Sequence, residues 1–321
     1  MDLIYTNARR IDQGAMRAYA FDLSFGADEN DFELILDAAE SVLEYGAFTY
    51  IEGTEYGGVV DGIKASTVSD TVTYFGRTWH GFLNSYIIAP DAGKSHLTVN
   101  GDANDVLAFL IDRLGLGALF AVEDKASGIF ISNYQFPRYC KGYDGILAML
   151  SKVGAKLKIT WSERRVILSV KHIVDYSALP IDGHVAPLTV KKYKNKVNHL
   201  ICLGRGEMAE REIIHLYVDQ FGRIGTVQYY TGLEEYTDTY ENINAETTEE
   251  LLTDAQERFR KLRDLDSAEI SINEDAEKVF DIGDIVGATE TRTGVSVATA
   301  VAQKIVRIKN GAVSIEYQAG G

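Results

Sequence analysis

Between residues 18 and 25 the chain alternates: Tyr19, Phe21, Leu23 and Phe25 share one parity, and Ala20, Asp22 and Ser24 the other. A period of two is buried only by an extended strand with a core on one face and solvent on the other. The first third repeats this habit. Residues 32–36, 46–52, 59–65, 71–75 and 77–88 read as strands, divided by Gly53, the Gly57-Gly58 pair and Gly76, and closed by Pro90. The last third returns to it at 188–193, 197–203, 211–218, 224–230, 268–273, 284–289, 295–308 and 312–318. Asn310-Gly311 between the last two is the sharpest hairpin signal, because both residues tolerate the positive φ that a tight turn requires.

The middle of the chain changes period. Val106, Leu107, Leu110, Ile111 and Leu114 recur at helical spacing, with Gly115 and Gly117 as stop signals. A second helix is expected over 145–153, with Asp144 as its N-cap and Gly154 at its end. Strands at 156–161 and 165–173 follow, turned by Ser162-Glu163-Arg164. Pro180 and Pro187 bracket a linker. In the last third, Thr247-Thr248-Glu249-Glu250 is a capping box ahead of Leu251, Leu252, Ala255, Phe259 and Leu262, one helical face. These patterns predict a mainly β chain with an α+β insertion: a first antiparallel β-barrel over 1–92, an inserted α+β domain over 93–184, and a second β-barrel with one helix over 185–321.

The two ends also resemble each other. Phe32-Glu-Leu-Ile-Leu36 answers Ala268-Glu-Ile-Ser-Ile272; a glycine and a short strand follow each, at Gly46 and Gly283. Glu52–Val59 then answers Ala288–Val295, and a long strand with a closing hairpin completes each copy. Segments 32–82 and 268–318 therefore read as a duplicated strand set. The alternative is two unrelated antiparallel sheets, which alternate in the same way.

Charge and composition narrow the function classes. Of 321 residues, 32 are Lys or Arg and 47 Asp or Glu, a net charge of −15 that repels nucleic-acid phosphate. Cys140 and Cys202 lie far apart, without zinc or redox spacing, and read as buried free thiols. The beginning of the chain lacks a basic-then-apolar leader pattern, and no apolar run reaches the ~20 residues that span a bilayer. The expectation is a soluble protein made in the bacterial cytoplasm, with no membrane-spanning segment.

No catalytic constellation emerges. His80, His96, His172, His184, His199 and His215 form no H-x-x-x-H or H-E-x-x-H pair, and His80 and His215 read as sheet histidines. Gly204-Arg-Gly-Glu-Met-Ala209 matches a loose glycine fingerprint, but a strand rather than a phosphate-binding helix is expected next. The acidic clusters at Asp28–Glu33 and at Glu234, Glu235 and Asp238 read as solvated turn charge. The basic run Lys191-Lys-Tyr-Lys-Asn-Lys196 suits an acidic neighbouring subunit or an edge strand better than nucleic acid. Catalytic, cofactor-binding and metal-binding residues are all expected to be none.

Several stretches carry a family resemblance. Lys196-Val-Asn-His-Leu-Ile-Cys-Leu-Gly-Arg-Gly-Glu207 with Arg211-Glu-Ile-Ile-His-Leu-Tyr-Val218 resembles the siphovirus-type tail-protein family of baseplate-hub type. So do Phe48-Thr-Tyr-Ile-Glu-Gly-Thr-Glu-Tyr-Gly-Gly-Val-Val-Asp-Gly62, Gly76-Arg-Thr-Trp-His-Gly81, Phe280-Asp-Ile-Gly-Asp-Ile-Val286 and Lys304-Ile-Val-Arg-Ile-Lys-Asn-Gly311. These are turns and strand cores, and they span about 20–320. The resemblance implies two tail-tube-like barrels per chain in a homotrimer, so that three copies continue a six-fold tube and offer a three-fold face to a spike. Implied partners are tail-tube proteins above, a spike or tail-tip protein below and other baseplate proteins, with no specific nucleic-acid binding. The implied site is a virion tail or a contractile tail-like bacteriocin. The competing readings are a tail-associated cell-wall hydrolase, which needs a cleft with convergent carboxylates, and a carbohydrate-binding tail-tip module, which needs exposed aromatics on one face.

Overall fold

The computed structural model describes residues 1–40, 43–182, 186–193, 196–245, 247–273 and 279–320. His184, Lys194 and Asn195, named above, lie outside them. The chain is mainly β with small helical parts, as its periodicities predict.

The first strand set opens with a hairpin, β1 (Leu3–Thr6) and β2 (Asp12–Met16), and continues through β3 (Ala20–Gly26), β4 (Asp31–Asp37), β5 (Phe48–Tyr50), β6 (Gly57–Ala65) and β7 (Thr71–Thr78). These pair antiparallel in the order β3-β4-β7-β6-β5-β1-β2. The inward parity is the one expected. Phe21, Leu23 and Phe25 are buried, and along β4 buried Phe32, Leu34 and Leu36 alternate with exposed Asp31, Glu33, Ile35 and Asp37.

The expected strand over 77–88 is instead broken by a helix. β7 ends at Thr78, α1 (Trp79–Asn84) follows, and β8 (Ile87–Ile88) resumes. The Thr78 hydroxyl accepts the Gly81 N–H, and Trp79 and Leu83, one helical turn apart, are both fully buried. Two apolar residues four apart fit a helix and a strand equally well in a run this short, and the Thr78 cap decides for the helix. Gly81 faces the Asn30 carbonyl so closely that a Cβ there would stand 1.9 Å from the oxygen. Gly81→Ala is accordingly expected to cost about 2–3 kcal/mol by overpacking, read as a lowered urea midpoint with an unchanged slope.

The middle segment comprises β9 (Thr98–Asp102), α2 (Ala103–Arg113), β10 (Phe120–Val122), β11 (Phe130–Gln135), β12 (Cys140–Lys141), α3 (Gly142–Ser151), β13 (Ala155–Ser162) and β14 (Arg165–His172). Asp102 caps α2 by accepting the Asn104 N–H at 2.9 Å, and it also ties down the N–H groups of Ser127 and Gly128. α3 starts earlier than expected. Its N-cap position is Lys141, without a side-chain cap, and Asp144 lies in the first turn, where its charge favours the helix dipole. The β13–β14 hairpin turns through Glu163 and Arg164, at φ of 52° and 63°.

This segment does not close a core of its own at residue 93. Trp161 of β13 stacks on Trp79 (5.0 Å between centroids) and Tyr50 (4.2 Å), and Phe48 meets both tryptophans edge-on. One apolar cluster runs from Phe48, Tyr50 and Val59 through Trp79 to the inner faces of α2, α3, β13 and β14. The aromatic bulk of Trp79 and Trp161 is too large for either side to bury alone.

After β15 (Ile181–Asp182) and β16 (Leu188–Lys191), a smaller unit is built from β17 (His199–Leu203), β18 (Ile213–Val218), β19 (Ile224–Gly225), β20 (Thr237–Glu241) and α4 (Thr248–Arg263). Its sheet runs β19-β18-β17-β20, and Leu200, Cys202, Leu216 and Val218 pack on Ala255 and Phe259 of α4. Thr247 caps α4 by accepting the Glu250 N–H, as the capping box requires. The expected strand over 224–230 shrinks to two residues.

The chain ends in β21 (Ser267–Asn273), β22 (Ile285–Glu290), β23 (Val295–Lys309) and β24 (Ala312–Gly320). Asn310 and Gly311 turn β23 into β24 at φ of 51° and 88°. Two features of these strands matter. First, their order, β21-β24-β23-β22, repeats the order β4-β7-β6-β5 of the first set, strand for strand in chain sequence. Second, β23 is 15 residues long and does two jobs. Its first part, from Val295 to Ala300, pairs with β22; from Gln303 to Lys309 it lies between β24 and β3. The two strand sets thus join in one sheet. Residues 1–189 and 268–319 form one compact unit and 190–267 the other, so the boundaries expected at 92 and 184 do not mark the compact units. The reason is the shared β23, whose stretch from Gln303 to Lys309 carries β24 on one edge and β3 on the other.

Candidate assembly surface

Lys304 shares the inward parity of Val306 and Ile308, so the fold must bury an ammonium, and its side chain is 2% exposed. The nitrogen lies 2.6 Å from the Glu55 carboxylate and sits over three rings, Phe25, Tyr56 and Tyr317, each within 6 Å of its centroid. Burial alone would discharge the lysine; the Glu55 charge, with Tyr56 and Tyr317, outweighs that and holds its pKa above the ordinary value. His80 completes the cluster. It stacks on Phe25 at 4.6 Å, is fully buried, and leaves its Nδ1 without a hydrogen bond. Burial pushes its pKa down to about 4, the Lys304 charge adding to this and Glu55 opposing it.

A second buried network lies nearby in sequence terms only at one end. Lys156 of β13 reaches both oxygens of Asp284 at 2.7 Å, and Asp281 joins Lys156 at 2.9 Å and Lys158 at 2.7 Å. Asp284, 1% exposed, also accepts the N–H groups of Val174 and Asp281. Burial works against the Asp281 charge, but the two lysines win and its pKa falls below the usual carboxylate value. A charged lysine held by carboxylate is a tether and not a nucleophile. Lys304 ties the C-terminal strands to the Glu55 loop, and Lys156 ties them to the middle segment.

These tethers fix the outward face of β24, β23, β3, β4, β7 and β6. There Asp22 stands opposite Arg307 on one side and Glu33 on the other, and Arg307 donates to Glu316 at 2.9 Å. Burial raises the Asp22 pKa, with Arg307 partly offsetting it. Asp61 grips Arg77 through two bonds of 2.7 Å. Asp22, Asp31, Glu33, Asp61, Phe75 and Arg307 line an open groove of about 660 Å³. The groove is acid-rich, and it gathers Asp31 and Glu33 of the acidic cluster read from sequence. Along β6, Gly57 to Val59 pairs with β5, whereas the outer edge of Gly62 to Ala65 pairs with no other described strand.

The remaining residues singled out in the sequence scatter. His80 opens α1 rather than a strand, His96 hydrogen-bonds the Phe136 carbonyl, His172 ends β14, and His215 is exposed on β18. Gly204–Ala209 leads through a short 3-10 turn into β18, so no phosphate-binding helix follows it. Lys196 is taken by Asp266 at 2.9 Å. Cys202 is buried and Cys140 partly so, both as free thiols. Lys304 and Lys156 were missed, although a lysine on the inward parity of β23 is itself a signal.

No protein-family model matches this sequence, and no curated protein sequence matches it. Solved structures do. The tail protein from Neisseria meningitidis MC58 superposes with a TM-score of 0.60 at 12% identity, over 100% of this chain and 96% of its own. This chain has a phage-tail-protein fold. The 43 kDa tail protein of prophage MuSo2 from Shewanella oneidensis gives a TM-score of 0.61 at 12% identity, over 99% and 98% of the two chains. A chain of the p2 virion baseplate in its activated conformation gives 0.50 at 11% identity, again over 99% and 98%. The tail-protein fold therefore accounts for essentially the whole length, the small unit included. No helix among the described residues is long and apolar enough to cross a membrane.

Proposed function

We propose that the chain is a structural baseplate hub of a phage tail or contractile tail-like particle, assembled as a homotrimer that adapts a six-fold tube to a three-fold spike. The observation that carries this is the repeated strand order, β4-β7-β6-β5 and β21-β24-β23-β22, within one chain. A chain with two like strand sets presents two quasi-equivalent surfaces, so three copies offer six to a tube and three to a spike. The two sets correspond to the tail-tube-like domains, with the middle segment set between them in sequence. The open edge at Gly62 to Ala65 supports ring closure, since an unpaired edge is a template for a strand of another copy. The acid-rich groove and the net charge of −15 suit a lumen through which a polyanion slides without sticking. In this reading the partners are tube proteins above, a spike or tip protein below and other baseplate proteins, and the role is not catalytic.

The test is stoichiometry in assembled particles, by image reconstruction or native mass measurement. Three copies between a six-copy tube ring and a three-copy spike are expected. Six copies in one ring, or a single copy, overturn the proposal.

A further inference from the structure

Independently of that role, the small unit carries a pair of facing histidines. His199 on β17 and His215 on β18 lie on the sheet face opposite α4, with their ring nitrogens pointed at each other: His199 Nε2 and His215 Nδ1 are 2.8 Å apart. His199 is 7% exposed, and its Nδ1 is held by the Glu235 carboxylate at 2.7 Å, with the Thr237 hydroxyl at 3.2 Å. The Tyr217 ring stacks on it at 4.4 Å. His215 is exposed.

The protonation logic is restrictive. A carboxylate on Nδ1 fixes the His199 proton there, so a neutral His199 presents the lone pair of Nε2 toward His215. This is the state in which histidine ligates a metal, oriented by a carboxylate behind it. The 2.8 Å gap then needs one proton, supplied by His215 Nδ1. Two bonds of about 2.0–2.1 Å to a shared ion set nitrogens roughly 2.9–3.4 Å apart, and exposed His215 has room to open by that amount.

We propose that His199 and His215 form a two-imidazole site for a borderline divalent cation such as Zn²⁺ or Cu²⁺, with Glu235 as the positioning residue behind His199. Binding exchanges the hydrogen bond between the rings for the ion: the Nδ1–H bond of His215 breaks and an Nε2–H bond forms through solvent, so both rings stay neutral while two N–metal bonds form. Imidazole selects Zn²⁺, Cu²⁺ and Ni²⁺ over Ca²⁺ and Mg²⁺. Water, or a group from a neighbouring molecule, fills the remaining positions.

The experiment titrates the untagged full-length chain with Cu²⁺ alone, reading stoichiometry by calorimetry and nitrogen ligation by electron paramagnetic resonance. One equivalent with two-nitrogen coupling is expected. His215→Ala, a surface change, should abolish the two-nitrogen signal while the thermal melt is retained. Glu235→Gln should weaken binding roughly 10–100-fold. His96→Gln and His172→Gln should leave the site intact. Absence of binding at micromolar Cu²⁺, or a two-nitrogen signal that survives His215→Ala, overturns the proposal.

Discussion

Lys304→Ala is expected to destabilise the larger unit by about 3–5 kcal/mol, the cost of leaving a buried carboxylate without its counter-charge. Glu55 is left beside Phe25, Tyr56 and Tyr317 with no ammonium, and the three rings lose the cation they surround. Glu55→Ala should cost a similar amount from the other side, since Lys304 is the more deeply buried partner. The double variant Lys304→Met, Glu55→Leu should recover much of either loss, because an apolar pair of like volume needs no desolvation. Urea denaturation of the parent, the two alanine variants and the double alanine variant closes the cycle that gives the coupling energy. Additive losses, or a single variant within about 0.5 kcal/mol of the parent, would show that the cage is not a tether.

Acid should destabilise the same unit well before its carboxylates titrate. His80 folds with a pKa near 4 against an unfolded value near 6.5, so the unfolded chain binds a proton that the folded one refuses. Above pH 6.5 neither state is protonated and nothing is lost. Between pH 6.5 and 4 stability falls with pH, on the order of 2–3 kcal/mol by pH 4.5; below the folded pKa the loss levels off. Paired carboxylates such as Asp281 contribute in the opposite range, losing their stabilisation only below the unfolded carboxylate pKa. His80→Gln should flatten the slope between pH 6.5 and 4.5 whatever it does at neutrality. An unchanged slope in that variant would assign the acid sensitivity elsewhere.

What could be read ahead of the structure follows from how local each cause is. The β3 and β4 parities, the Thr247 cap and the Asn310-Gly311 turn are decided within a few residues, and each is found where expected. The strand set at each end was legible as a repeat because strand length and turn spacing survive when side chains drift. The helix at Trp79 was not, because its cap and its two apolar residues also satisfy a strand. The N-terminal hairpin was missed for a related reason: four of five residues of β2 are exposed, so it shows no period at all. The compact units were not legible, since the pairing of β23 with β3 and the stacking of Trp161 on Trp79 link residues far apart in sequence. The buried networks are of the same kind: Lys304 meets Glu55 across 249 residues, and Lys156 meets Asp284 across 128.

The shared strand has a mechanical meaning. From Gln303–Gly26 to Lys309–Ala20, β23 and β3 run antiparallel side by side, and β24 flanks the same stretch on the other side. A pull directed along these strands loads the whole ladder in shear, so that its hydrogen bonds must fail together. A pull across them would unzip the ladder one bond at a time. Force applied along β23 would therefore be borne by the seam between the two strand sets, which makes the seam a strut rather than a hinge.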